Sequence, residues 1–221
     1  MRIVDLTMPL EHGMPAFPGE PTAGFVPFST IERDDVEMWQ VSLFSQVGTH
    51  VDAPSHFVSG GRTVDQIDLA RCVGCATVVD ARKLPAGAID EDVLAPHLPA
   101  IARTTRVLLR HDWSLQLGRA EYWTDYPSMT IGAAKALVDA GVVFLGLDTP
   151  SPHRSDFRAL HEALFANEMV VAECLVDLAA LRHDEVLLIA PPLPLRGLDG
   201  SPTRILAVDE PRARWAALVD G

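Results

Sequence analysis

Basic residues are scarce in this chain, with 18 Lys and Arg against 30 Asp and Glu and a net charge of −12. A surface of that sign repels phosphate backbones and anionic bilayers, which excludes nucleic acid and membranes as partners. Cysteine is scarcer still. The count is three, and an odd number argues against a disulfide framework. Cys72 and Cys75 form a CxxC, but no second CxxC or HxxxH follows, and Cys174 lies in an apolar run. All three are expected to be structural thiols. No uninterrupted apolar run reaches the roughly 20 residues of a membrane span, and Asp5 interrupts what would be a signal core. A cytoplasmic location follows. GxSxG is missing too, so the serine nucleophile of that motif is not expected.

What remains is an ordinary globular composition. The 221 residues, 48% hydrophobic and 22% charged, suffice for one full-sized core and hardly for two, so residues 1–221 are read as a single domain. Arg2–Thr7 reads as a strand, followed by a Pro- and Gly-rich loop from Pro9 to Gly24 of the kind that forms lids or binding segments. Phe25–Ile31 and Glu37–Ser45 form a strand pair around Glu32–Asp35. Ala76–Val79 is a buried strand ending at Asp80, and Asp90–Leu98 is at best a short helix. Arg106–Arg110 is a strand. Thr130 caps a helix closed by Gly141, and Val142–Leu147 is again a buried strand. Strand, helix and apolar strand make a crossover unit, so the class is α/β with a mixed, partly parallel sheet. Glu185–Ala190 and Thr203–Val208 are the last strands, with a Pro-rich loop between them.

The chemistry concentrates in Gln46–Phe57, QVGTHVDAPSHF. In an extended segment Gln46, Gly48, His50 and Asp52 share one face. An imidazole beside a carboxylate at i, i+2 is a chelating pair for a transition ion. Pro54 ends the ladder and presents His56 from a loop. Farther on, His161 falls on the apolar stripe of Phe157, Leu160, Leu164 and Phe165 at helical spacing. Glu173 stands in the apolar run Met169–Val176, where a carboxylate costs several kcal/mol unless paired or metal-bound. Asp148 closes a buried strand and either faces a ligand site or caps a turn.

The segment resembles the signature HxGTHxDxPxHF of the cyclase superfamily of metal-dependent hydrolases. Asp5, Leu6, Gly13–Pro15, Pro18 and Gly19 resemble that family's opening, and Gly146 with Asp148–Ser151 resemble its central strand end. Gly200, Ser201, Pro202 and Arg204 resemble its closing motif. The resemblance covers essentially the whole chain and implies a swivelling β/β/α-like fold. By it, His50 and Asp52 bind metal, His161 and Glu173 complete the site, and His56 is the acid–base histidine. In the family's formamidases Asp52 and Glu173 would bridge a second ion. Gln46 departs from the pattern, standing where the family has histidine. Either it coordinates a harder ion such as manganese, or one ion rests on His50, Asp52, His161 and Glu173, or the site is empty and the protein is not a hydrolase.

A divalent ion, zinc or manganese, lowers the pKa of bound water toward about 7 and polarises a carbonyl under attack. With His56 as acid and base, the implied reaction is hydrolysis of a small amide, formamide, cyclic imide or lactone, kynurenine formamidase-like and hence connected with tryptophan catabolism. A lyase or cyclase on a related acyl substrate, and a silent metal-binding or assembly protein, are the alternatives. Phe17, Trp39, Phe57, Trp113 and Trp123 are candidates for an aromatic pocket, each equally able to be core. The family's habit implies a homodimer or larger homo-oligomer with a partner loop closing the site, and Pro9–Pro21 is the candidate for that loop.

Overall fold

The computed structural model describes residues 1–83 and 88–215. Its strands in chain order are β1 (Ile3–Asp5), β2 (Gly24–Ser29), β3 (Met38–Ser42), β4 (His50–Asp52), β5 (Val73–Asp80), β6 (Ala88–Ile89), β7 (Arg106–Arg110), β8 (Ser128–Met129), β9 (Phe144–Leu147), β10 (Val170–Glu173), β11 (Glu185–Ile189), β12 (Gly200–Pro202) and β13 (Leu206–Val208). One nine-stranded sheet runs in the order β1-β13-β11-β5-β7-β9-β10-β4-β12. Its centre, β5-β7-β9-β10, is parallel, and every other pairing is antiparallel. The α/β expectation holds.

The parallel centre reads as near-continuous Val, Leu and Ala because both of its faces are covered. One face packs with Val51, Leu108, Phe144 and Leu188, the other with Val107, Leu109, Leu145 and Val171. The crossover from β7 to β9 runs through the helix Ile131–Asp139, whose Thr130 cap accepts the Ala133 N–H at 3.0 Å. Gly141, at φ +77, ends it in the left-handed region where a side chain is strained. A second helix spans Leu98–Thr104. Its Pro99 stands in the first turn, where a missing N–H costs nothing.

Two differences from the sequence reading bear on the site. The strand expected to run unbroken into the histidine-rich segment stops at Ser42, and β4 begins only at His50. Between them Gly48 turns at φ +62, and a Cβ there would lie 2.6 Å from Leu10 Cδ2. His50 and Asp52 still share a face of β4. Gln46 does not, because the turn breaks the two-residue alternation. Within the Pro-rich loop after β11, Gly200–Pro202 forms β12 on β4, and Pro202 is tolerated there because β12 is an edge strand. The pair β2/β3 stands apart as a ribbon. Every residue of β3 is exposed.

Candidate metal centre and its cavity

Cross-strand register assembles the centre. In the antiparallel pair β10/β4, Glu173 lies directly opposite His50, and Asp52 follows His50 on the same face. The helix Phe157–Leu164 brings His161 over this pair. All four side chains are buried. His50 Nε2 lies 3.5 Å from Asp52 Oδ1 and 3.5 Å from Glu173 Oε2, and His161 Nε2 lies 3.7 Å from Asp52 Oδ2 and 3.4 Å from Glu173 Oε1. These spacings exceed good N–H···O bonds. They match the edges of a tetrahedron around a cation, since ligands about 2.1 Å from an ion sit roughly 3.4 Å from one another.

Three further observations fit a cation. Both oxygens of Asp52 are buried without a hydrogen-bond partner among the described residues, a cost native structures rarely carry. His50 Nδ1 is held by the Gly48 carbonyl at 2.8 Å and His161 Nδ1 by the Phe157 carbonyl at 2.8 Å. Each carbonyl only accepts, so each Nδ1 carries the proton and each Nε2 lone pair faces the carboxylates, as a metal-ligating imidazole requires. The ligand atoms of His50, Asp52 and Glu173 all lie within 4.8 Å of one another.

Without an ion the charges answer to one another. Burial opposes charging of His50, but Glu173 and Asp52 overcome it and push the imidazole up to about 9. His161 is likewise pushed up to about 10, against its burial, by Asp52 and Glu173. Burial would raise Asp52, yet the imidazoles of His161, His50 and His56 hold it below the usual carboxylate range.

The surroundings fix these groups. Thr49 Oγ1 donates to the Cys174 carbonyl at 2.7 Å and accepts the Met8 N–H at 2.8 Å, tying the segment to the end of β10. Phe57 stacks on His161, ring centroids 4.3 Å apart and planes 19° from parallel. The short 3₁₀ turn Pro54–His56 carries His56 out of the sheet to the wall of a cavity of about 280 Å³. Phe17, Glu20, Gln46, Phe57, Trp123 and Phe157 line it with His50, His161 and Glu173.

The sequence-predicted residues therefore divide. His50, Asp52, His161 and Glu173 converge, and His56 stands beside them. Gln46 lines the cavity but donates its amide N–H to Asp199 Oδ2 at 2.9 Å. Asp148 turns away from the cavity, because its carboxylate accepts the backbone N–H groups of His111 and Trp113 and pairs with His111 Nδ1. Of the aromatic candidates, Phe17, Phe57 and Trp123 line the cavity. Trp39 is exposed on β3, and Trp113 packs in a core cluster with its indole N–H on the Tyr122 carbonyl. From the loop Pro9–Pro21, Phe17 and Glu20 reach the cavity of their own chain, and Phe17 makes edge contacts with Trp123 and Phe157. The three cysteines are free and buried, as expected.

Sequence reasoning missed Glu20 and Asp199. Glu20 sits in a Pro–Gly loop and Asp199 in a turn, and neither position announces a partner far away in the chain. Glu20 emerges as part of the cavity wall, and Asp199 through its bonds to Gln46 and His56.

The Cyclase family, described as "Putative cyclase", matches residues 4–154. Kynurenine formamidase of Bacillus cereus is 30% identical over 205 residues, covering 91% of this chain and 94% of that one. The Erythrobacter litoralis kynurenine formamidase is 31% identical over 204 residues, covering 90% and 89%. Among solved structures, isatin hydrolase A from Labrenzia aggregata superposes with a TM-score of 0.81 at 26% identity, covering 95% of this chain and 94% of its own. A potential metal-dependent hydrolase with cyclase activity superposes at 0.79 with 26% identity, covering 95% and 98%. This chain belongs to the cyclase family of metal-dependent hydrolases.

Proposed function

We propose that this protein hydrolyses the C–N bond of a small amide, a formamide or a cyclic amide, around a divalent ion held by His50, Asp52, His161 and Glu173. The observation that carries the reading is the buried Asp52 carboxylate, whose two oxygens have no hydrogen-bond partner among the described residues while two imidazoles point their Nε2 atoms at it. An ion there, zinc or manganese, would supply a Lewis acid for water and carbonyl. His56 takes a proton from the attacking water and returns it to the leaving nitrogen, a role suited to an imidazole on the cavity wall. Phe17, Trp123 and Phe57 present ring surface to a substrate carrying an aromatic group and exclude water behind it. An arylformamide is the class that suits these walls, and N-formylkynurenine, a metabolite of tryptophan catabolism, is the first compound to test.

The same reading includes a cytoplasmic homodimer. Supporting it is the β2/β3 ribbon, which exposes Val26, Phe28, Met38, Trp39 and Val41 on two strands with no third paired to them among the described residues. Such a ribbon is marginal alone and gains from a partner.

Elemental analysis of purified protein, joined to a panel of formamides, lactones and cyclic imides, tests the function. Stoichiometric zinc or manganese with turnover of a formamide is the expected result. A well-folded preparation that takes up neither metal, or one that holds metal and turns over none of the panel, overturns the reading.

A further inference from the structure

Gln46 stands where the family pattern has histidine, and the structure shows another use for it. Its Nε2 donates to Asp199 Oδ2 at 2.9 Å, and His56 Nδ1 meets that same oxygen at 2.9 Å. The amide orientation follows from chemistry, because the opposite flip would set a carbonyl oxygen against a carboxylate. Gln46 is also packed in place. A Cβ on Gly200 would lie 2.5 Å from Gln46 Nε2 and 2.8 Å from the Val51 carbonyl, so a glycine next to Asp199 makes room for the amide against the β4 backbone.

We propose that Asp199 is the positioning residue of His56 and that Gln46 is the clamp on Asp199, so that residue 46 of this chain serves the acid–base arm and a single ion rests on His50, Asp52, His161 and Glu173. An ionised carboxylate only accepts hydrogen bonds. Asp199 therefore places the proton of neutral His56 on Nδ1 and leaves Nε2 as the base. The bond from His56 holds the Asp199 carboxyl well below the usual range, and the Gln46 bond adds to it against the effect of partial burial. A carboxylate with one oxygen shared by two donors has little freedom to swing. The Ser45 side chain also reaches this carboxylate, so without Gln46 it loses one of three side-chain contacts and its hold on the His56 ring loosens.

The inference rests on the hydrolase reading for its rate consequences, and its tests include two measurements that need no turnover. The first is metal stoichiometry of the whole protein and of Gln46→Ala. Wild type is expected to bind one ion per chain, and Gln46→Ala to bind one with affinity within about threefold, since it removes no ligand. The second is the nitrogen NMR signature of the His56 ring in metal-free protein, at a pH where the ring is neutral. Wild type is expected to show the proton on Nδ1, and Asp199→Asn to show a mixture of tautomers. In turnover, Asp199→Asn should lower kcat by roughly 10²- to 10⁴-fold with KM little changed, the scale seen when a carboxylate that orients a catalytic histidine becomes an amide. Gln46→Ala should cost about tenfold, the lower end of such supporting contacts, and Gln46→Asn should restore none of it because the shorter amide falls short of Asp199. Loss of an ion in Gln46→Ala, two ions in wild type, or an unchanged His56 tautomer in Asp199→Asn overturns the proposal. If no substrate is ever found, the metal and NMR results still decide it.

Discussion

Two buried carboxylates of the same sheet region, Asp148 and Asp52, have opposite surroundings. Asp148, at the end of β9, is fully enclosed and fully served, with the His111 and Trp113 amides and the His111 ring on its oxygens. Asp209, beyond β13, repeats the pattern, accepting the Arg182 and His183 amides, the His183 ring and Arg2. Asp52 is equally buried, and among the described residues its oxygens have no partner at good hydrogen-bond distance. Burial of a carboxylate beside histidine thus does not mark a site. What marks it is a carboxylate faced by two imidazole Nε2 atoms at 3.5 and 3.7 Å, spaced for an ion between them, where Asp148 and Asp209 receive N–H donors at bonding distance.

The largest expected effects separate these two kinds of carboxylate. Asp52→Ala and His50→Ala should each abolish bound metal and activity while the metal-free fold stays intact, as read by elemental analysis and circular dichroism. Asp148→Ala should do the reverse. It strands two buried amides and an imidazole N–H, at a cost of about 3 kcal/mol or more in a denaturant titration, while the folded fraction keeps its ion. An Asp148→Ala protein that folds normally but holds no metal would erase the distinction.

A smaller effect sharpens it by pH. In metal-free protein His50 is pushed up to about 9 and His161 up to about 10, above the ordinary imidazole value of about 6.5. Protonation therefore favours the fold. That stabilisation is fully present below about 6.5 and is lost as pH rises through 9 and 10. An ion needs the same imidazoles neutral, so metal affinity should rise across the interval in which metal-free stability falls. Thermal melts with and without chelator from pH 7 to 10 should diverge steadily, and curves that stay parallel would mean that the imidazoles are not held by these carboxylates. Asp148→Asn should shift both curves together, because its histidine serves the loop and not the ion.

How much of this was legible beforehand depended on distance along the chain. His50 and Asp52 were readable because two residues on one strand share a face, and His161 because helical spacing set it on the buried stripe. Glu173 gave itself away as a carboxylate with no nearby cation in an apolar run. Gln46 was misplaced because the alternation was carried through Gly48, where the backbone turns at φ +62 and Leu10 packs against the space a side chain would fill. Asp199 was invisible for a different reason. Its partners His56 and Gln46 lie 143 and 153 residues away, and only the β12/β4 pairing brings it to them. Local periodicity finds ligands within an element, while the residues that orient them come from sheet order.

Glu20 offers the finest contrast with Asp52, because both carboxyls belong to the same site and only one faces the four-residue centre. Partial burial pushes the Glu20 carboxyl up, His50 pulls it back, and Glu173 pushes it up again. It lines the cavity from the loop that carries Phe17, and it lies outside the cluster of ligand atoms around Asp52. Its expected partner is therefore a donor on the substrate, an amide N–H or an ammonium. Glu20→Gln should leave metal content unchanged and raise KM by about tenfold for substrates with such a donor, the worth of one hydrogen bond to a charged group. A lactone with no N–H should be barely affected. Equal losses on both substrates would make Glu20 a wall residue, and loss of metal would place it beside Asp52 among the ligands.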